Sequence, residues 1–320
     1  MKKLLIIIAG IGILAVLAWQ FILAPKPVPQ VTITNPTGPV VVPVLGIDSG
    51  NVTNEEFEVG ITYWKNIDEA VAYLAADQAE FAVLPITTAA NIYAQGIDIT
   101  LLGVHEWKVF YLVAKEGVEF KDWSSLIGKT VYSAHGKGQT VDILMRAALS
   151  KIGVDPDRDV EILYAPPQEA VALFKAGKAD FVALPEPFIT LALKDSGGRL
   201  VLDFQEYYKE LSGKKDRIPV AGLFVKKDFL KEHPEQAARV ADLLARSTEW
   251  GNQNVDTALP LAGEVLPIPA PVMKEALTRI DFYYVPIAEA RAEVEEFLRI
   301  TKELYPEGIT ELPDQGFYAQ

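Results

Sequence analysis

His135-Gly136-Lys137-Gly138-Gln139-Thr140 places two glycines, a cation and a hydroxyl between a short apolar run and a helix-like one. Such a turn lets backbone N–H groups approach an anion at a helix N-terminus, and Lys137 adds positive charge. Its spacing is not that of a nucleotide-binding P-loop, and an ordinary strand-to-helix turn with a solvated lysine uses the same residues. Glu186, in Leu184-Pro185-Glu186-Pro187-Phe188, would point into a cleft and meet a ligand amine or hydroxyl, or would be a carboxylate favoured by a helix dipole. Thr87 and Thr88 hold the matching earlier place and either donate to an anion or cap a helix. Trp64, His105 and Trp107 are read as amphipathic groups at strand ends, able to line a pocket or to pack, with packing favoured for Trp107. The candidate ligand-binding set is Trp64, Thr87, Thr88, His105, His135, Lys137, Gly138, Gln139, Thr140 and Glu186. His105 and His135 lack a spaced third ligand, so neither metal nor cofactor is expected. His233 sits in a surface-like segment and is given no role.

These residues hang on a stretch that occurs twice. Residues 68–85 and 168–185 align without a gap and are identical at nine of eighteen positions. Each copy reads as an amphipathic helix, a tight turn and a short apolar strand stopped by proline. The uninterrupted apolar runs before Pro85 and Pro185 suit parallel strands covered on both faces. One reading is a helix–strand pair common in α/β proteins. The sharper one is two similar α/β lobes, with the segment after each proline at a strand's C-terminal end, where open α/β sheets bind ligands. Strands alternate with helices through residue 225, which predicts parallel-rich sheets, and the chain from residue 228 is read as mainly helical. Residues 40–47 fit a strand or a short buried helix, and residues 105–108 are read as a connection between two strands.

The chain has 320 residues, half of them hydrophobic, and a formal charge of −13. Residues 1–30 hold Lys2, Lys3 and Lys26 and no acid, so the remainder is still more acidic. Phosphate backbones are bound by clustered Lys and Arg, so the acidic balance argues against nucleic acid as a partner. With no cysteine, disulfides, thiolate sites and lipid attachment to cysteine are excluded as well.

Residues 4–24 carry no charge and are long enough to span a bilayer. A signal peptide has a shorter apolar core and a small-x-small cleavage site, which fits poorly here, so an uncleaved anchor is favoured over a cleaved signal. Lys2 and Lys3 put the N-terminus in the cytoplasm and the rest outside. Residues 25–30, rich in proline, read as a stiff spacer.

Several segments, taken in order, resemble one family. The run from Ala79-Glu80-Phe81 through Pro85 to Asn91-Ile92-Tyr93 resembles the ligand-loop and helix segment of extracytoplasmic solute-binding proteins of ABC importers. Gly128-Lys129-Thr130-Val131 leading into the 135–140 turn resembles their second-lobe turn. Leu184-Pro185-Glu186-Pro187-Phe188 is similar to the Glu-Pro segment of the nitrate, sulfonate and taurine branch, which includes relatives of thiamine-pyrimidine-precursor synthesis proteins. The tail at residues 312–318 looks like that branch too. The resemblance covers roughly residues 31–320. It implies a two-lobe, periplasmic-binding-protein-like α/β fold with two crossings and a ligand cleft between lobes: residues 31–112 plus 218–320, and residues 113–217. It also implies a monomer that binds a small organic or anionic solute outside the cytoplasm or in the periplasm and delivers it to an importer permease. An enzyme of the thiamine-precursor or menaquinone-pathway type is the alternative; the synthesis enzymes' Cys-rich iron motif is absent. A membrane-anchored sensor is a third reading, for which no second span or output domain is seen.

Overall fold

The computed structural model describes residues 29–134, 136–213 and 217–320. The expected anchor at residues 4–24 lies outside the described residues, as does most of the 25–30 spacer. Among the described residues no helix is long and apolar enough to cross a membrane.

The two repeat copies fold alike. Helix α2 (Ile67–Ala75) starts at Asn66, whose side chain accepts the Glu69 amide, while the Glu69 carboxylate returns to Asn66 Nδ2 and the Lys65 amide. This reciprocal cap satisfies N–H groups a helix start would otherwise leave open. Its counterpart α5 (Pro167–Lys175) opens on proline at its first turn, where the missing N–H costs nothing. Each helix then reverses through one residue at positive φ: Asp77 at 54° in the first copy, Gly177 at 74° in the second. Glycine takes this conformation freely and Asp is among the few other residues that tolerate it, so the turn survives although its sequence differs. The strands that follow, β3 (Phe81–Pro85) and β8 (Phe181–Pro185), are almost wholly buried. Phe81 and Phe181 are fully covered, each burial worth about 1.5–3 kcal/mol before entropy is charged.

The copies lie in different sheets. The first sheet has the order β11-β4-β10-β3-β1-β2, built from β1 (Gln30–Pro36), β2 (Glu58–Trp64), β3, β4 (Ile99–Lys108), β10 (Ala221–Lys226) and β11 (Asp281–Pro286). The second has the order β7-β6-β8-β5-β9, from β5 (Phe110–Ala114), β6 (Thr130–Ala134), β7 (Glu161–Ala165), β8 and β9 (Arg199–Asp203). Both are mixed. β1, β2 and β3 run parallel, as do β6, β7 and β8, while β4, β5, β9, β10 and β11 pair antiparallel with their neighbours. Helices cover both sheets, giving the expected two-lobe α/β architecture.

Three segments settle or correct the sequence expectation. The apolar run at residues 40–47 is helix α1 (Val41–Asp48), buried from Val41 through Ile47. A helix covered on all sides shows no amphipathic period, so the run alone could not be assigned. Gly46 is what lets α1 press onto α9 (Pro234–Gln253), since a Cβ there would sit 2.8 Å from Ser247 Oγ. Residues 105–108 are not a connection: β4 runs on to Lys108, and one residue separates it from β5. The part from residue 228, read as mainly helical, also contains a strand, β11, which pairs with β4.

Candidate functional site

Strand direction fixes where the loops go. β10 pairs antiparallel with β3, aligning Ala221 with Pro85, and antiparallel with β4, aligning Ala221 with Glu106. One edge of the first sheet therefore carries the C-terminal ends of β1, β2, β3 and β4 together with the start of β10. In the second sheet Phe110 aligns with Pro185, so the C-terminal ends of β6, β7 and β8 share an edge with the start of β5. Because β4 passes almost directly into β5, these two edges meet at the crossing.

The crossing is held by backbone pairing. Val220 N donates to Glu106 O and Ile218 N to Trp107 O, both at 2.9 Å, joining the outgoing and returning segments. The residue after each repeat proline docks onto one of them: Ile86 N donates to Val220 O at 3.0 Å, and Glu186 N to Val109 O at 2.9 Å. The repeat thus includes the attachment of each turn to the crossing. Gln205, fully buried, accepts from the Phe110 amide at 3.0 Å and donates to its carbonyl at 2.9 Å.

Buried side-chain atoms without a protein partner concentrate in the first sheet. They include Thr34 Oγ1 and Asn35 Oδ1 on β1, Thr62 Oγ1 and Trp64 Nε1 on β2, and both His105 nitrogens and Glu106 Oε1 on β4. Native interiors leave few such groups unmatched, so a concentration of them calls for a ligand, water or ion to satisfy it. Burial pushes the Glu106 carboxyl up to about 8 and the His105 imidazole down to about 3, since a charge costs more in an apolar site than a neutral group does.

The candidates from the sequence distribute unevenly. Trp64 lies at this edge, almost buried. Thr87 is buried and Thr88 half-buried in the first turn of α3 (Ile86–Ala94), where no side chain caps the helix. His105 is fully buried inside β4. Its neighbour Trp107 is a packing residue: Nε1 donates to Tyr283 O at 3.0 Å, its ring stacks on Tyr283, and the Arg217 guanidinium lies 4.2 Å from the ring centroid. His135 lies outside the described residues. Lys137 is half-exposed and pairs with Asp157 at 3.2 Å. Gly138 adopts φ +84°, Gln139 precedes helix α4 (Thr140–Lys151), and Thr140 is its first residue. Glu186 is not the solvated cleft carboxylate expected. It is fully buried, accepts from the Thr190 amide and hydroxyl, and forms a 2.5 Å ion pair with Arg279 Nε. Arg279 lies just before β11, in the other sheet's part of the chain.

Three groups escaped the sequence reading. Asp142, fully buried, accepts from Gly138 N at 2.7 Å, Arg146 Nε at 2.8 Å and Tyr164 OH at 2.7 Å, fixing the 136–140 turn from below; its i,i+4 spacing to Arg146 on one helix was the available signal. Arg279 carried no local signal. Glu106 did: a carboxylate between His105 and Trp107, directly after the apolar run at residues 101–104. Of two surface cavities of about 430 and 220 Å³, the first lies around Trp250, and the second, around Phe57, is lined by the starts of β1 and β2, at the opposite end of the first sheet. Among the described residues no group of three His, Asp or Glu could hold a metal ion.

A model of the NMT1-like family matches residues 55–262. The chain belongs to the NMT1-like family. "Putative binding protein YtlA" of Bacillus subtilis (strain 168) is 24% identical over 205 residues, covering 63% of this chain and 59% of that protein. The chain therefore matches less than two thirds of that relative's length. An ABC transporter structure from Parabacteroides distasonis superposes with a TM-score of 0.76 at 26% identity, covering 91% of this chain and 99% of that one. The periplasmic aliphatic sulphonate binding protein SsuA from Escherichia coli superposes with a TM-score of 0.76 at 19% identity, covering 92% and 93%. This NMT1-like chain therefore has the two-lobe fold that its segments suggested.

Proposed function

We propose that this NMT1-like protein binds a small organic or anionic solute outside the cytoplasm and delivers it to an ABC importer permease. The observation that carries the reading is the meeting of two strand-end edges at a paired crossing, one edge bearing buried polar atoms without partners. Solute binders close such an edge pair around their ligand by hinge motion. The lobes are residues 31–112 plus 218–320 and residues 113–217. Trp64, Thr87, Thr88 and the turn at Gly138, Gln139 and Thr140 are the walls that a closed ligand touches. The sulphonate-binding name of the Escherichia coli neighbour makes a sulfonate the first solute to try. The protein acts as a monomer at the extracytoplasmic face of the membrane.

Native mass spectrometry of the full chain purified from its source tests this directly. A retained small molecule, with a decrease in radius of gyration on rebinding by solution scattering, is the expected result. A chain that retains nothing and binds no sulfonate, nitrate, carboxylate or pyrimidine in calorimetric titration would remove the proposal.

A further inference from the structure

Gly308 lies where three parts of the chain meet. It follows the helix Ile287–Leu304 and belongs to a strap, residues 305–310, whose carbonyls at Pro306, Ile309 and Thr310 accept from Lys302 Nζ. On one side Asn91 of α3 donates to Gly308 O at 2.8 Å and accepts from Thr310 N at 2.9 Å. Helix α3 is the one that opens directly after Pro85. On the other side lies the glycine turn at the head of α4. A Cβ on Gly308 would sit 2.9 Å from Ile143 Cδ1, 3.2 Å from Gly138 O, and 2.8 Å from Tyr305 Cδ1 in the strap itself.

The close approach is mutual. Gly138 is buried although it stands in a turn, and a Cβ on it would meet Tyr305 Cε1 at 3.1 Å and Gly308 Cα at 3.5 Å. The turn is therefore held from two sides. Asp142 accepts the Gly138 amide from within the second sheet's part of the chain, while Tyr305 and Gly308 cover it from the first sheet's part. Facing glycines let two backbones come nearer than any side chain would allow. A packed contact of this kind has no room for an added methyl, which its neighbours accommodate only by moving. Tyr305 moves with the strap; Ile143 and Gly138 belong to the other lobe.

We propose that this C-terminal strap sets how closely the two lobes approach, with Gly308 the residue that fixes the distance. Gly308 is then a positioning residue for solute binding, acting through the glycine turn. This rests on the solute-binding reading above and goes beyond it. The strap ties the turn after β6 to the helix after β3, so it links a cleft wall of one lobe to a cleft wall of the other.

The chain has no cysteine, so Gln95→Cys and Lys151→Cys, both exposed and at the far ends of α3 and α4, carry one pair of spin labels and no others. Pulsed electron resonance between them reads the lobe separation in the full, solute-free chain. Gly308→Ala should move the main distance to longer values. Adding Ile143→Val, which removes the obstructing Cδ1, should bring it back. Ethanesulfonate affinity by calorimetry should follow, about fivefold or more weaker in Gly308→Ala and recovered in the double variant, because the wedge depletes the closed form. An unchanged distance in Gly308→Ala, or a shift that Ile143→Val fails to reverse, overturns the inference. A Gly308→Ala form too unstable to measure is judged by the double variant: refolding at the original distance supports the inference, and no recovery overturns it. A shifted distance with unchanged ethanesulfonate affinity overturns it while the solute-binding function stands. The distances need no solute, so a chain that binds no ethanesulfonate leaves them to decide the inference and weighs only against the sulfonate.

Discussion

Arg279 reaches from the segment before β11 to Glu186 after β8, joining the two sheets through a 2.5 Å ion pair. Its Nη2 also donates to Thr190 Oγ1 at 2.6 Å, and its backbone carbonyl accepts Tyr111 OH at 2.6 Å. The contact ties the two sheets directly, in addition to the crossings.

Removing one partner of this pair should be far worse than removing both. Arg279→Ala leaves the Glu186 carboxylate buried beside Thr190 alone, at a cost of about 3–5 kcal/mol. Arg279→Leu combined with Glu186→Gln should recover most of that loss. Urea unfolding of both variants checks it; equal stability of the single and double forms would show that the pair contributes little.

Adjacent residues on β4 give stability opposite pH limbs. Glu106 has a folded pKa of about 8, above its unfolded value, so the fold binds its proton more tightly. Stability should then fall by on the order of 1 kcal/mol per pH unit as pH rises between roughly 5 and 8. His105 has a folded pKa of about 3, below its unfolded value, so stability falls as pH drops through roughly 6 toward 3. Denaturation across pH should show a maximum between the limbs, and Glu106→Gln should flatten the alkaline limb alone. An unchanged alkaline limb in that variant would assign it to other groups.

The glycine turn depends on Asp142 more than on Lys137. Asp142→Ala takes a partner from the Gly138 amide and one from Arg146, which keeps Asp157 and Tyr164, and should cost about 1–3 kcal/mol. Lys137→Ala breaks an exposed pair with Asp157 and should cost under about 1 kcal/mol. Melting curves separate the two; comparable losses would mean that Lys137 has a structural partner besides Asp157.

Asn91 ties α3 to the C-terminal tail, donating to Gly308 O at 2.8 Å and accepting from Thr310 N at 2.9 Å. Asn91→Ala should loosen the tail by about 1–3 kcal/mol. Faster limited proteolysis after residue 305 is the expected readout, and an unaltered cleavage rate argues that Lys302, which binds the carbonyls of Pro306, Ile309 and Thr310, suffices.

The sequence by itself determined what depends on near neighbours. The repeat gave two helix–turn–strand units because capping, reversal and strand burial are set within some eighteen residues, and the Asn66 cap and the 77/177 reversal follow from side chains in place. Family segments along the chain pointed to the two-lobe class. Only the tertiary structure decided which partners distant residues meet. Residues 40–47 became a helix enclosed by α9, by the helix Val255–Val265 and by the first sheet. Glu186 looked free beside its proline, but Arg279, ninety-three residues away, holds it. Glu106 seemed part of a connection, yet antiparallel pairing with β10 and β11 extends β4 through it. Hydrogen bonds and desolvation act over a few ångströms in space, and a linear order of residues does not specify which groups come that close.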